Sequence, residues 1–117
     1  MERQIARTPK FGREERKMPH SVDDIRKIVE PVARKHGLER VWLFGSHARG
    51  EATPESDIDL RVDGGKVEDY YQLVGLYFDL EEALNSKLDL LTTGSLRDDF
   101  LKRIAKEEVL IYANPHP

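Results

Sequence analysis

The spacing of apolar residues predicts a first helix after Ser21. Its apolar positions recur every three or four residues, and Ser21 with Asp24 three residues later resembles a capping box. Pro31 lies inside this helix and removes one backbone hydrogen bond, so we expect a kink or a break near Glu30. The helix should end at His36-Gly37. The apolar positions that define it are Val22, Ile25, Ile28, Val29 and Val32.

Four short segments are typical of β-strands, at residues 41–44, 57–63, 87–91 and 109–112. The first is continuously apolar, which indicates a strand covered on both faces. The second alternates cleanly, so its apolar side chains share one face and its polar side chains share the other. The polar positions of this second strand are Asp57, Asp59, Arg61 and Asp63, and Asp89 is the polar position of the third strand.

Two further helices are predicted, one over residues 67–84 and one opened by a second capping pattern at Ser95 and Asp98. The apolar arc of the 67–84 helix covers about 240°, where a core-facing helix needs little more than about 100°. Either part of this helix meets another protein surface, such as a second copy of the chain, or its tyrosines lie at the rim of the core. Both interpretations remain open at this point.

These elements predict an α/β fold, more strictly α+β, in which a small mixed sheet carries helices packed on one face. A chain of 117 residues is long enough for one core only. Residues 1–20 contain six Lys or Arg and three acidic residues, with few large apolar side chains. We expect them to form a flexible basic tail rather than a nucleic-acid-binding arm, and residues 21–117 to form the domain.

The composition excludes several classes of protein. No apolar run approaches the roughly 18 residues that span a bilayer, and the first residues lack the apolar segment of a secretory signal. The chain has no cysteine, so disulfides and thiolate metal sites are excluded. A net charge of -3 with 35% charged residues is typical of a soluble protein. A cytoplasmic location is the default expectation.

Candidate chemistry begins where the first strand ends. Gly45 and Ser46 follow an apolar strand and precede a short helical turn, so free backbone N–H groups should gather at a tight corner. Such a corner binds phosphate, and the Ser46 hydroxyl can donate to a phosphate oxygen. Arg49 could balance phosphate charge. Taken alone, a glycine-serine pair is more often a plain turn.

Asp57 and Asp59 favour a binding site over a plain turn, because residues two apart on a strand bring both carboxylates to one face. Aspartate is a poor strand former, and two adjacent carboxylates repel unless a cation lies between them. Oxygen-only ligands favour Mg²⁺ or Mn²⁺. Asp89 could complete a trio from an adjacent strand, and three such side chains can hold two metal ions.

The motifs Phe-Gly-Ser-His-Ala-Arg-Gly and Ser-Asp-Ile-Asp-Leu, with ten residues between Gly-Ser and Asp-x-Asp, resemble the DNA polymerase beta nucleotidyltransferase superfamily. The likeness is greatest to minimal nucleotidyltransferases that act as antitoxins of HEPN-domain ribonucleases. It implies a nucleotide-binding role for Gly45 and Ser46, and a catalytic, Mg²⁺-binding role for Asp57, Asp59 and Asp89. It also implies that AMP passes from ATP to a tyrosine of a HEPN toxin partner.

Two alternatives stay open beside this interpretation. One is a small-molecule nucleotidyltransferase, such as an enzyme that modifies an antibiotic. The other is an antitoxin that neutralises its partner by binding alone. The residues themselves indicate no base preference, because no side chain visibly reads a nucleobase.

Overall fold

The computed structural model describes residues 20–65 and 69–115, which form four strands and four α-helices. The helices are α1 (Val22–Lys35), α2 (Ser46–Arg49), α3 (Tyr70–Leu84) and α4 (Asp98–Ala105). The strands are β1 (Leu38–Phe44), β2 (Ile58–Gly64), β3 (Leu88–Thr92) and β4 (Val109–Ala113), and a 3₁₀ turn (Thr93–Ser95) follows β3. The predicted basic tail lies outside the described residues except for His20, and so does the first part of the predicted 67–84 helix.

The four strands form one mixed sheet in the order β3-β2-β1-β4. Strand β1 is antiparallel to both β2 and β4, whereas β2 and β3 are parallel and joined through α3. The register pairs Phe44 with Asp59 and Asp59 with Asp89. The end of β1, the start of β2 and the start of β3 therefore meet at one edge of the sheet.

Helices α1 and α3 pack against each other and cover one face of the sheet. The alternation predicted for β2 holds, because its apolar side chains are fully buried beneath these helices. The opposite face carries the polar side chains of β2. The fold class predicted from the sequence is confirmed. The buried core consists mainly of Ile25, Val29, Ala33, Leu38, Val41, Leu43, Ile58, Leu60, Val62, Leu76, Leu80, Leu84 and Ile111.

Helix α1 begins as predicted, since the Ser21 hydroxyl accepts a hydrogen bond from the Asp24 N–H at 3.0 Å. The predicted break near Glu30 is wrong, because α1 continues through Pro31 to Lys35. Pro31 lies on the exposed side of the helix. Water can therefore satisfy the carbonyl that loses its partner, while the buried side chains on either side keep the helix packed on the sheet.

The second predicted capping pattern is also wrong. Ser95 lies in the 3₁₀ turn, where its hydroxyl donates to the Thr92 carbonyl at 2.8 Å. Helix α4 starts later, at Asp98, and the residue before it, Arg97, makes no side-chain cap. A serine can bond its own preceding backbone instead of opening a helix, and here that local bond forms.

Helix α4 lies on the polar face of the sheet rather than beside α1 and α3. The Phe100 ring meets Phe44 edge-on with centroids 6.3 Å apart, and Phe44 shares its strand face with its register partner Asp59. Phe44 and Ile104 are buried, but neither belongs to the main core. Among the described residues, no helix has the length and apolarity needed to cross a bilayer.

Candidate active site

The turn after β1 is built around Gly45, whose backbone has φ 77° and ψ -157°. Side chains are rarely tolerated in this conformation. The surroundings add a second constraint, because a Cβ atom on Gly45 would overlap the Asp59 carboxylate. Only glycine therefore lets this turn approach the start of β2. The predicted phosphate-binding corner and the predicted metal-binding strand are in direct contact.

Helix α2 begins immediately after this turn with Ser46. The first N–H groups of any α-helix have no carbonyl partner within the helix, so they remain available at its start. Within the described part of the chain, the half-buried Ser46 hydroxyl makes no hydrogen bond to another protein group. This corner therefore has donors that could face an anionic group, and phosphate binding there stays a prediction.

The acidic side chains gather on the polar face, beside the turn. Asp59 and Asp89 are register partners on the parallel strands β2 and β3. The pKa of the Asp59 carboxyl is raised to about 6, first by burial and then by the charge and hydrogen bond of Asp89 and the charge of Asp57. Such a shift is expected where carboxylates crowd one site without a cation.

Asp57 precedes β2 by one residue and is exposed, as is Asp89. No three His, Asp or Glu side chains stand at the spacing of a complete metal site within residues 20–65 and 69–115. Asp59 and Asp89 are register partners on adjacent strands. Asp57 lies outside the strands and affects Asp59 through its charge. The donor chemistry still fits Mg²⁺, because all three groups are carboxylates on one side of the sheet.

The Arg49 side chain is bound by two acidic residues. Its guanidinium donates to Glu51 at 2.9 Å and to Glu107 at 3.0 Å. Glu107 also accepts the Gly45 N–H at 3.0 Å, and this bond, followed by the bond from Arg49, lowers the pKa of Glu107. The predicted contact between Arg49 and phosphate therefore remains a prediction, and the described contacts give Arg49 a structural role.

His47, the second residue of α2, is buried with 5% of its surface exposed. Its Nδ1–H donates to the Asp57 carbonyl at 3.1 Å. Burial lowers the pKa of His47, with the bond to Asp57 acting in the opposite direction. The imidazole thus connects the helix of the phosphate corner to the backbone of a predicted metal ligand.

The comparison with known proteins identifies the family. The family "Polymerase beta, Nucleotidyltransferase" matches residues 26–116 of the chain, which include the turn and all three aspartates. The chain belongs to the polymerase beta nucleotidyltransferase family. This membership, expected from the sequence motifs, is confirmed.

Individual nucleotidyltransferases show how much of the chain is shared. A Methanocaldococcus jannaschii protein named "Putative protein adenylyltransferase" is 37% identical over 89 residues, covering 76% of this chain and 96% of the relative. The protein adenylyltransferase MntA of Thermococcus cleftensis is 31% identical over 95 residues, covering 78% of this chain and 96% of the relative. Among solved structures, a mutant of a toxin-antitoxin pair containing MntA is similar with a TM-score of 0.61 and 26% identity. That match covers 77% of this chain and 72% of the solved one.

A buried ion pair lies beside this nucleotidyltransferase site, on the same face of the sheet. Arg61, two residues beyond Asp59, donates to Glu108 at 2.6 Å and 2.9 Å and to the Thr93 hydroxyl at 2.6 Å. Its guanidinium lies over the Trp42 ring, 3.7 Å from the ring centroid. Alternation predicted a polar position here, but not a buried one. The contacts join β1, β2 and the residue before β4 next to the acidic side chains.

Sequence reasoning did not find the roles of Glu107 and His47. Glu107 lies sixty-two residues from Gly45, and nothing in its neighbourhood indicates that its carboxylate reaches the turn. The position of His47 between Ser46 and the first aspartate was the one feature of the sequence that could have indicated its role. A lone histidine in a short helical turn nevertheless carries no specific meaning without its contact.

Proposed function

We propose that this nucleotidyltransferase is a Mg²⁺-dependent protein adenylyltransferase that moves AMP from ATP to a tyrosine of a HEPN-type toxin and so neutralises it. One observation carries the proposal: the Gly45 turn lies against the Asp59 carboxylate, and Asp59 and Asp89 are register partners on adjacent strands. A triphosphate bound at the turn would thus lie beside the carboxylates. The names of the adenylyltransferase relatives support AMP as the transferred group.

In this proposal, Gly45 lets the triphosphate approach the turn closely while its own N–H stays bound to Glu107. The backbone N–H and the hydroxyl of Ser46 donate to the triphosphate. Asp57, Asp59 and Asp89 would hold Mg²⁺, with Mn²⁺ accepting the same ligands. Divalent ions bound there supply charge neutralisation for the triphosphate and activation of the acceptor hydroxyl. The crowded carboxylates favour a bound cation, because ionising all three without one is costly.

The transfer forms a bond between the tyrosine oxygen and the α-phosphorus of ATP. The bond from that phosphorus to the bridging oxygen breaks, and pyrophosphate leaves. Asp89, which is exposed beside Asp59, accepts the proton of the tyrosine hydroxyl and passes it to solvent. Because Asp57 and Asp89 both face solvent, the site is open to an acceptor as large as a protein loop.

The decisive experiment incubates the protein with Mg²⁺, ATP labelled at the α-phosphate, and a HEPN-type toxin. We expect label on a tyrosine of the toxin and loss of its ribonuclease activity. Asp59→Asn should lower the rate by about 100-fold or more, since it removes a metal ligand. Asp23→Asn, the same change at an exposed position of α1, should leave the rate unchanged.

Other outcomes would replace the proposal. Unlabelled toxin that is fully neutralised by both wild-type and Asp59→Asn protein would indicate an antitoxin that acts by binding alone. Label on an aminoglycoside but not on the toxin would indicate a small-molecule enzyme.

We further propose that a second copy of the chain covers the outer face of α3. Tyr71 and Phe78 are 85% and 59% exposed and lie seven residues apart, so they share one side of the helix, opposite its buried leucines. Their midpoint falls at Val74 and Gly75. In an antiparallel pair of such helices, Tyr71 of each copy meets Phe78 of the other, and glycine permits close approach at the crossing.

Charge favours the same arrangement. Between Tyr70 and Leu84, α3 carries three acids and no base, and all three acids lie in its second half. A parallel pair would bring the acids of the two copies together. An antiparallel pair separates the two sets of acids and so lowers their repulsion.

Sedimentation equilibrium tests this interface. We expect a dimer that Phe78→Lys converts to a monomer, while Leu110→Lys, an equally drastic change on the edge strand β4, leaves it dimeric. Monomeric wild-type protein whose Phe78→Lys variant fails to bind the toxin would assign this face to the toxin instead.

A further inference from the structure

The carbonyl of Asp57 is bound by a side chain at a point where the sheet provides no partner. Strand β1 ends at Phe44, whose register partner is Asp59, so no residue of β1 pairs with Asp57. The Asp57 carbonyl instead accepts the Nδ1–H of His47 at 3.1 Å. The imidazole therefore takes the place of the neighbouring strand at this position.

The connection between the two motifs is otherwise loose. Residues 50–57 are mostly exposed, and the hydrogen bonds described among them join Thr53 and Ser56. The start of this loop is tied to α2, because the Gly50 N–H donates to the His47 carbonyl at 3.4 Å and the Glu51 N–H to the Ser46 carbonyl at 2.9 Å. Arg49 also donates to the Glu51 carboxylate at 2.9 Å. The contact of His47 is what ties the end of the loop to the same helix.

His47 itself is firmly held, since it is buried and lies next to Ser46 in α2. A carbonyl can only accept a hydrogen bond, so Nδ1 must carry the proton in this contact. Because the ring is fixed, the bond transmits the position of the phosphate corner to the backbone of Asp57.

We propose that His47 is a positioning residue that sets the Asp57 carboxylate at the correct distance and direction from the phosphate corner. This inference rests on the proposed function, because it concerns the same nucleotide site. It explains how an exposed aspartate outside the strand keeps its place opposite Asp59 and Asp89. Hydrogen bonds that orient metal ligands typically change metal affinity or activity 10- to 100-fold when removed.

Two variants separate the hydrogen bond from packing. His47→Leu preserves the bulk of the side chain but removes the hydrogen-bond donor. His47→Asn keeps a donor close to the position of Nδ1. We expect His47→Leu to lower kcat/KM for AMP transfer about 10- to 100-fold and to raise the Mg²⁺ concentration needed for half-maximal rate. His47→Asn should stay within about threefold of wild type in both.

Hydrogen exchange of the ligand-free protein gives a readout that does not need activity. We expect backbone amides of residues 51–57 to exchange faster in His47→Leu than in His47→Asn or wild type. Unchanged exchange in His47→Leu would overturn the inference. The inference would also be overturned if both variants lost the same amount of kcat/KM and that loss ran parallel to their loss of Tm. Wild-type protein without transfer activity would refute the proposed function, while the exchange comparison would still decide the role of His47.

Discussion

Gly45 and Asp59 are in such close contact that any side chain at position 45 would overlap the carboxylate at position 59. The contact joins the turn after β1 to the start of β2, where the register also pairs Phe44 with Asp59. It fixes how near a phosphate group at the turn can come to the acidic side chains. The glycine is therefore required by geometry as well as by its backbone angles.

Gly45→Ala should abolish Mg²⁺-dependent ATP binding and lower Tm, because it introduces both the overlap and backbone strain. Gly50→Ala is a matched control, since Gly50 has φ 75° but nothing lies within 4 Å of its added Cβ. That control should cost about 1 kcal/mol of stability and keep ATP binding. Titration with a fluorescent ATP analogue and thermal melts measure both effects. Retained binding in Gly45→Ala would contradict the role of the contact.

Asp59→Asn should stabilise the metal-free protein at neutral pH. The folded-state pKa of Asp59 is raised to about 6 from its ordinary value of 3.8, mainly by burial. The folded protein therefore holds this proton more tightly than the unfolded chain, so stability decreases as pH rises from about 4 to about 6. Above that range the ionised group costs on the order of 1 to 3 kcal/mol, which asparagine avoids.

Urea unfolding in EDTA at pH 7.5 and at pH 4 measures this difference. The stabilisation by Asp59→Asn should be largest at pH 7.5 and should shrink at pH 4, whereas Asp23→Asn should show no such trend. Adding Mg²⁺ should raise the Tm of wild type and not that of Asp59→Asn. Equal stability of the two metal-free proteins at pH 7.5 would show that Asp59 carries no electrostatic strain.

Glu107→Ala should weaken ATP binding several-fold although Glu107 touches no nucleotide in the proposed mechanism. The change leaves the Gly45 N–H and one N–H group of the Arg49 guanidinium without their acceptor. The turn therefore loses the bonds that hold its orientation. Glu51→Ala removes the other partner of Arg49 but no bond to Gly45, and should have a smaller effect. Calorimetric titration with a nonhydrolysable ATP analogue distinguishes them, and equal effects would indicate that only the charge on Arg49 matters.

The fold and the motif residues could be predicted because they depend on local signals. Alternation along residues 57–63 predicted the buried apolar side chains of β2, although not the burial of Arg61. Gly45-Ser46 after an apolar strand predicted the turn. Pro31 and Ser95 misled the prediction, because the effect of each depends on exposure and on competing local hydrogen bonds. Local sequence does not contain that information.

The contacts between distant segments could be predicted only in part. The sequence indicated that Asp89 could join Asp57 and Asp59 from an adjacent strand, but the register that pairs Asp59 with Asp89 depends on the parallel packing of β2 and β3. The bonds from Gly45 to Glu107 and from His47 to Asp57 likewise depend on where β1 ends relative to its neighbours. A sequence shows which residues can perform chemistry, whereas the tertiary structure decides which side chains hold them in place.

The buried pair of Arg61 and Glu108 provides a last prediction, concerning stability rather than chemistry. Their side chains are only 10% and 7% exposed, and the guanidinium also lies against Trp42. Glu108→Leu alone should destabilise the protein by about 3 kcal/mol or more, because the buried arginine loses both of its bonds to Glu108 and keeps the longer contact of 4.0 Å to Asp63. The double variant Arg61→Met, Glu108→Leu should recover much of that loss, since two apolar side chains can fill the same space without a charge.

Urea unfolding of Arg61→Met, of Glu108→Leu and of the double variant measures the coupling between these residues. Arg61→Lys should not substitute for arginine, because lysine can neither form the paired contact with Glu108 nor stack flat on the indole. Since Arg61 lies two residues from Asp59 on the same face of β2, a loose Arg61 should also disturb the acidic side chains. A Glu108→Leu variant that unfolds at the same urea concentration as wild type would show that the pair is hydrated in solution and does not support the site.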